Sequence, residues 1–254
     1  MAKVNEQLMQ ELASPAYDEA RRRIYVALDV DSESRALALV DRLAPVVDGY
    51  KVGLELFHRA GMRLVESLLK LNLRVFLDVK LHDIPNTVAG ALRAIAQYPV
   101  EMVNVHASGG LKMLAAAREA VDGSPHRPLL VGVTVLTSLT DADLESMGVG
   151  TTASAWVRRL AQMAQQTGLD GVVCSAHELD IVREVTTPAF ERVVPGIRLA
   201  GDAAHDQARV MPPDEAIRRG ATRLVLGRAV TEADDPVGSL ARYLRSVREG
   251  LSHE

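Results

Sequence analysis

Eight short apolar runs, each followed by a longer stretch with helical spacing, constrain this 254-residue chain more than any other feature. The runs lie near residues 24–30, 49–54, 74–80, 102–107, 129–135, 171–175, 192–197 and 223–227, and each is β-rich. Helical patterns between them cover Glu33–Leu43, Met62–Leu71, Thr87–Gln97, Leu111–Val121, Ala153–Thr167 and Pro213–Arg219. Nearly all-apolar strands that alternate with helices form a parallel sheet covered on its outer face. Eight such units predict an α/β fold, a single (β/α)8 TIM barrel. An open doubly wound sheet competes, but the polar residues argue against it. Asp29, Lys51, Asp78, Lys80, His106, Thr137, Arg198 and Arg228 fall at or just past C-terminal strand ends. A barrel gathers these at one mouth, where active sites of that fold are built, whereas an open sheet strings them along an edge.

With 48% hydrophobic residues the chain can bury one sizeable core, so residues 1–254 are expected to form one barrel domain with 1–23 as an N-terminal extension. A net charge of -4 gives no general attraction for nucleic acid or membrane, so an anionic ligand needs a local cluster of Arg and Lys. The single Cys174 sits in an apolar run, reads as a small core residue and suits a reduced compartment. The charged N-terminus is neither signal peptide nor membrane span, and a cytoplasmic location is expected.

Within the third run, Phe76-Leu77-Asp78-Val79-Lys80-Leu81-His82-Asp83-Ile84-Pro85-Asn86-Thr87 carries opposite charges inside an apolar stretch. Strand alternation puts Asp78 and Lys80 on one face about 7 Å apart. Pro85 suits a helix start, so Asp83 belongs to the strand-to-helix connection and Thr87 follows about one turn later. A structural ion pair is the plainer reading of Asp78 and Lys80. A pair buried for stability alone gains little over apolar packing, which favours function. Lys51, in Gly49-Tyr50-Lys51-Val52-Gly53, adds a second cation at the mouth. Barrels often hold phosphate with the loops after strands seven and eight, and there the chain places Gly196-Ile197-Arg198 and Gly227-Arg228. Guanidinium groups beside glycines make Arg198 and Arg228, with Gly227, a phosphate-binding set. The irregular stretch Leu199 to Pro213 reads as a mobile lid.

The pattern Asp-x-Lys-x-x-Asp-Ile-Pro-x-Thr resembles the orotidine 5'-monophosphate decarboxylase family. Asn104-Val105-His106-Ala107-Ser108-Gly109-Gly110, Val133-Thr134-Val135-Leu136-Thr137-Ser138, Pro195-Gly196-Ile197-Arg198 and Gly227-Arg228 follow in the same order, from about Ile24 to Asp235. The resemblance implies decarboxylation of orotidine 5'-monophosphate to UMP in de novo pyrimidine biosynthesis, with no cofactor and no metal. It implies catalytic Lys51, Asp78, Lys80 and Asp83, with Lys80 stabilising the C6 carbanion and donating the proton. Asp29 would accept from the ribose hydroxyls, Thr137 would touch the base, and Gln207 would reach the phosphate from the lid. His205-Asp206-Gln207 stands where Gly-Asp-Gln is usual. It also implies a homodimer with shared active sites, Asp83 and Thr87 reaching into the neighbour's mouth. His82 and His106 have no proton-transfer role in that family and are expected as structural hydrogen-bonders. The nearest rival is a Mg2+-dependent decarboxylase of the 3-keto-L-gulonate 6-phosphate type, against which Lys51 would repel the ion. A phosphosugar epimerase would need metal ligands or paired acids. A non-catalytic phosphate-ligand sensor would gain nothing from a carboxylate facing an anionic ligand.

Overall fold

The computed structural model describes residues 2–199 and 210–252. The eight expected runs are the strands β1 (Ile24–Ala27), β2 (Gly49–Val52), β3 (Arg74–Leu81), β4 (Met102–His106), β5 (Leu129–Val133), β6 (Gly171–Val173), β7 (Glu191–Val194) and β8 (Arg223–Leu226). All pair in parallel in chain order, and β8 returns to β1 to close the (β/α)8 barrel. The expected runs 24–30, 129–135 and 192–197 overshoot the ladders at their C-terminal ends. Pairing stops at Ala27, Val133 and Val194, and the residues beyond form the rim of the mouth.

The helices are α1 (Ala2–Leu12), α2 (Asp18–Arg22), α3 (Glu33–Leu43), α4 (Leu54–Lys70), α5 (Pro85–Ile95) and α6 (Gly110–Asp122) in the first half. The second half adds α7 (Asp141–Ser146), α8 (Ala153–Gln166), α9 (Leu179–Val185), α10 (Pro213–Arg218), α11 (Arg228–Thr231) and α12 (Pro236–Leu251). Helical periodicity found α3, α5, α6, α8 and α10 to within two residues. It missed the first turns of α4, because Gly61 at φ 62° breaks that helix and restarts its pattern at Met62. None of these helices is long and apolar enough to cross a membrane.

Alternation along the strands divides the buried apolar residues into two sets. Val26, Tyr50, Val75, Leu77, Val103 and Leu224 face outward and pack against the helices. Tyr25, Ala27, Phe76, Met102, Val131, Val193 and Val225 face inward and fill the barrel as a separate cluster. Below that plug, at the strand N-terminal ends, lies a charged layer. Arg74 pairs with Asp48 at 2.8 Å and Glu101 at 3.1 Å, and Arg223 pairs with Glu191 at 3.2 Å.

The segment from Leu12 to Arg23 packs against this lower end. Arg74 donates to the Arg21 carbonyl and Arg223 to the Arg22 carbonyl, each at 3.1 Å. Leu12, Tyr17 and Ala20 are buried. The Tyr17 hydroxyl donates to Glu11 at 2.9 Å, and the Arg248 guanidinium of α12 covers its ring at 4.6 Å. Tyr17→Ala should therefore lower stability by about 3 kcal/mol through the cavity it leaves. Urea unfolding would read this as a lower midpoint with an unchanged slope. A loss under about 1 kcal/mol would mean that the extension contributes little to the barrel.

Candidate active site

The apolar plug is also the floor of a cavity of about 320 Å³ at the C-terminal mouth. Ala27, Phe76, Val133, Val173 and Val225 form that floor. Asp29 just past the end of β1, Lys51 of β2, and Asp78 and Lys80 of β3 all line the cavity. Across the mouth it is lined by Thr137, Arg198, Gly227 and Arg228. Eight sequence-expected residues thus share one cavity, charged carboxylate–ammonium groups at one end and guanidinium groups at the other.

Asp78 is the centre of the first end. One carboxylate oxygen accepts from the Lys80 ammonium at 2.6 Å and from the Asn104 amide at 2.6 Å. The other lies 3.3 Å from the Lys51 ammonium, which is also 3.0 Å from Asp29. Burial alone would raise the Asp78 carboxyl, but Lys51 and Lys80, with the hydrogen bonds, hold it below its ordinary pKa. Burial likewise works against the Lys51 ammonium, and Asp78 and Asp29 together outweigh it and raise its pKa. Both groups are therefore charged at neutral pH. The side chain of Lys51 is 10% exposed and that of Lys80 28%, so Lys80 is the ammonium more open to a ligand. Gly53 permits this crowding, since a Cβ there would lie 2.9 Å from the Lys51 nitrogen and 3.0 Å from Asp29.

At the second end Arg198 is buried and donates to the Ile197 carbonyl at 2.8 Å, while its Nε has no partner among the described residues. A buried donor without a partner is costly, and Arg198 lines the cavity, where its guanidinium is available to an anionic ligand. Arg228 opens α11 directly after Gly227 and is half-buried. Gln207 and most of the expected lid fall outside the described residues.

Two expectations concerning local geometry change. Asp78 and Lys80 do not sit on a regular strand, because Lys80 has φ 48° and the β3–β4 register shifts between Leu77 and Leu81. His82 and His106 do not act as structural hydrogen-bonders among the described residues. Their rings face each other with centroids 5.3 Å apart, since the adjacent strands β3 and β4 end side by side. Burial, then His82 and Lys80, lower the His106 pKa against the pull of Asp78. Cys174 is buried at the edge of the cavity, and burial pushes its thiol pKa up. Asp83 and Thr87 are exposed on the β3–α5 connection and the first turn of α5, and neither lines the cavity. Sequence reasoning passed over Asn104 as a site residue. Its signal was a carboxamide at an inward strand position between Met102 and His106.

The model of the orotidine 5'-phosphate decarboxylase / HUMPS family matches residues 22–243. An orotidine 5'-phosphate decarboxylase from Alkalilimnicola ehrlichii is 53% identical over 225 residues, covering 89% of this chain and 96% of its own. One from Nitrosomonas europaea is 52% identical over 221 residues, covering 87% of this chain and 95% of its own. The crystal structure of orotidine 5'-phosphate decarboxylase from Lactobacillus acidophilus superposes with a TM-score of 0.78 at 33% identity, covering 89% of this chain and 99% of that one.

The charge array makes a stability prediction. Lys51→Met leaves Asp78 with Lys80 as its one ammonium partner among the described residues and should destabilise by about 2 kcal/mol at pH 7, less than the full loss of a buried pair. Because the folded-state Asp78 pKa is depressed, its pairing stabilises fully above about pH 4 and fades as the pH falls through the folded value. Urea unfolding of variant and parent at pH 7 and pH 3 should show the gap shrinking in acid. A gap that grows in acid would contradict an ionised Asp78 held by Lys51.

Proposed function

The chain belongs to the orotidine 5'-phosphate decarboxylase / HUMPS family, and from that premise we propose how its carboxy-lyase site works and what completes it. The enzyme decarboxylates orotidine 5'-monophosphate in pyrimidine biosynthesis. In the proposed reaction no cofactor takes part, and Lys80 is the group at the reacting carbon. The C6–carboxylate bond breaks, CO2 departs, and the electron pair stays on C6 in an in-plane orbital that the ring π-system cannot delocalise directly. The Lys80 ammonium stabilises that charge and passes a proton to C6, giving UMP. The resulting amine regains its proton from solvent. Preorganised charge of this kind is most effective where water is excluded.

One observation carries the reading: an Asp78 carboxylate kept ionised between two ammonium groups, with the more exposed one, Lys80, at the cavity. Asp78 orients Lys80 and, beside a substrate carboxylate, disfavours the ground state. Lys51 keeps Asp78 charged and, with Asp29, turns toward the sugar hydroxyls. Thr137 meets the base, while Arg198, Arg228 and Gly227 hold the phosphate. The rival Mg2+-dependent chemistry is disfavoured by Lys51, whose nitrogen already lies between the Asp29 and Asp78 carboxylates at 3.0 and 3.3 Å, where a divalent ion would need them.

Shared sites in a homodimer, with Asp83 and Thr87 supplied across the interface, complete the proposal. Asp83 and Thr87 are exposed and outside the cavity, and Ile84 between them is 67% exposed. Beside this connection an apolar groove lined by Phe57, Met62, Val79, Leu81, Ala94 and Tyr98 runs along α4, β3 and α5. A second copy of the chain would cover it. The cytoplasm is the proposed location.

Loss of absorbance as orotidine 5'-monophosphate becomes UMP should proceed equally with and without EDTA, and Lys80→Ala should abolish it. Activity that vanishes with chelator and returns with Mg2+ would move the enzyme to the rival chemistry. More than about a tenth of parent rate in Lys80→Ala, a loss of only about 1.4 kcal/mol, would remove Lys80 from the reaction.

The shared site is tested by mixing inactive Lys80→Ala with inactive Asp83→Ala and allowing subunits to exchange. Each mixed dimer then has one doubly defective site and one intact site. At equal amounts half the dimers are mixed, so about a quarter of parent activity should return. No recovery after demonstrated exchange would put Asp83 in its own subunit's site.

A further inference from the structure

We propose that Asn104 is a positioning residue for the reaction, holding a bulge in β3 so that Asp78 and Lys80 meet. The inference rests on the reading of those two residues given above. Between the pairs Leu77↔Val103 and Leu81↔Val105, β3 advances by four residues (77 to 81) while β4 advances by two (103 to 105). The two extra residues lie in β3 opposite Asn104, and Lys80 among them has φ 48°, a left-handed conformation that a side chain of this kind seldom adopts. Bulges of this sort re-aim side chains near active sites, and they leave backbone groups without ladder partners. Strained backbone persists where surrounding groups determine it.

Asn104 supplies that determination. Its Oδ1 accepts from the Lys80 backbone N–H at 2.7 Å, and its Nδ2 donates to the Asp78 carboxylate at 2.6 Å. Only this orientation of the amide gives the N–H an acceptor and the carboxylate a donor, so the partners assign it. Asn104 is fully buried and does not line the cavity, so it acts through its neighbours and not on a ligand. Its two bonds span the bulge from the backbone of one reacting residue to the side chain of the other. An apolar side chain at this place would leave the Lys80 N–H and one bond to Asp78 unmet.

The test measures kcat, KM, UMP binding and the pH profile of kcat for Asn104→Ala and Asn104→Asp, with Lys80→Ala alongside. Asn104→Ala should lower kcat about 10²-fold through misplacement while KM and UMP binding stay within about threefold, as the phosphate end is untouched. Because Asp78 loses a donor to its ionised form, the acidic limb of the profile should move to higher pH. Asn104→Asp keeps an acceptor for Lys80 but sets a second carboxylate against Asp78, and should move the limb further. If Asn104→Ala does not fold, Asn104→Asp decides by the same readouts. A kcat within about twofold of parent with an unmoved limb would overturn the proposal. So would loss of UMP binding in both variants, which would make Asn104 a residue of the fold as a whole. Activity surviving in Lys80→Ala would instead bring down the reading of Lys80 itself, so the two failures are distinct.

Discussion

A carboxylate buried beneath the rim of a barrel needs counter-charge, and Asp78 receives it twice. Lys51 approaches from β2 and Lys80 from two residues along β3 itself, at 3.3 and 2.6 Å. Lys51 would not keep its charge so deep without the acid, and the acid would not stay ionised without the ammonium groups beside it. Regular alternation would point Lys80 to the correct face but leave it extended away from Asp78. The bulge brings the two together, and the Asn104 amide occupies the gap it opens in the β3–β4 ladder. The polar end of the site is therefore one connected network spread over β1 to β4.

The rest of the barrel serves that network by separating it from everything else. An apolar plug of inward residues lies between the mouth and the charged layer formed by Arg74, Glu101, Glu191 and Arg223 below. Both layers are ionic, and the upper one borders the cavity. The lower one is tied to the backbone carbonyls of residues 21 and 22 and so fastens the entry to β1. This division follows the usual asymmetry of such barrels, with chemistry at the C-terminal ends of the strands and stability at the N-terminal ends.

The cavity itself has two unlike ends on a dry floor. In the proposed reading Arg198, buried with an Nε that has no partner among the described residues, meets an anion, whereas Asp78 would repel one. On that reading a ligand with a phosphate at one end and a carboxylate at the other would be drawn in by the first and stressed at the second. Binding energy gathered at a remote phosphate can be used in this way at the reacting carbon.

Much of this was legible in the sequence, for identifiable reasons. Eight apolar runs with intervening helices favour a closed parallel barrel over an open sheet, and residues at C-terminal strand ends then converge, so eight of the expected site residues share the observed cavity. The sequence reading passed over α1, α2 and α12, although Val237, Leu240, Ala241, Leu244 and Val247 of α12 carry a helical period, and local periodicity could not announce the break at Gly61. Asn104 escaped because a buried carboxamide carries no charge pattern, and its importance lies in a partner strand 24 residues away. The bulge at Lys80 and the close approach of the His82 and His106 rings were equally invisible. By itself the sequence determined the fold class and which charged groups gather at the mouth, since both follow from periods of two and of about 3.6 residues. The tertiary structure alone decided which of those groups touch and in what protonation state. Distances of 3 Å and the balance of burial against counter-charge depend on strand register, which no local pattern contains.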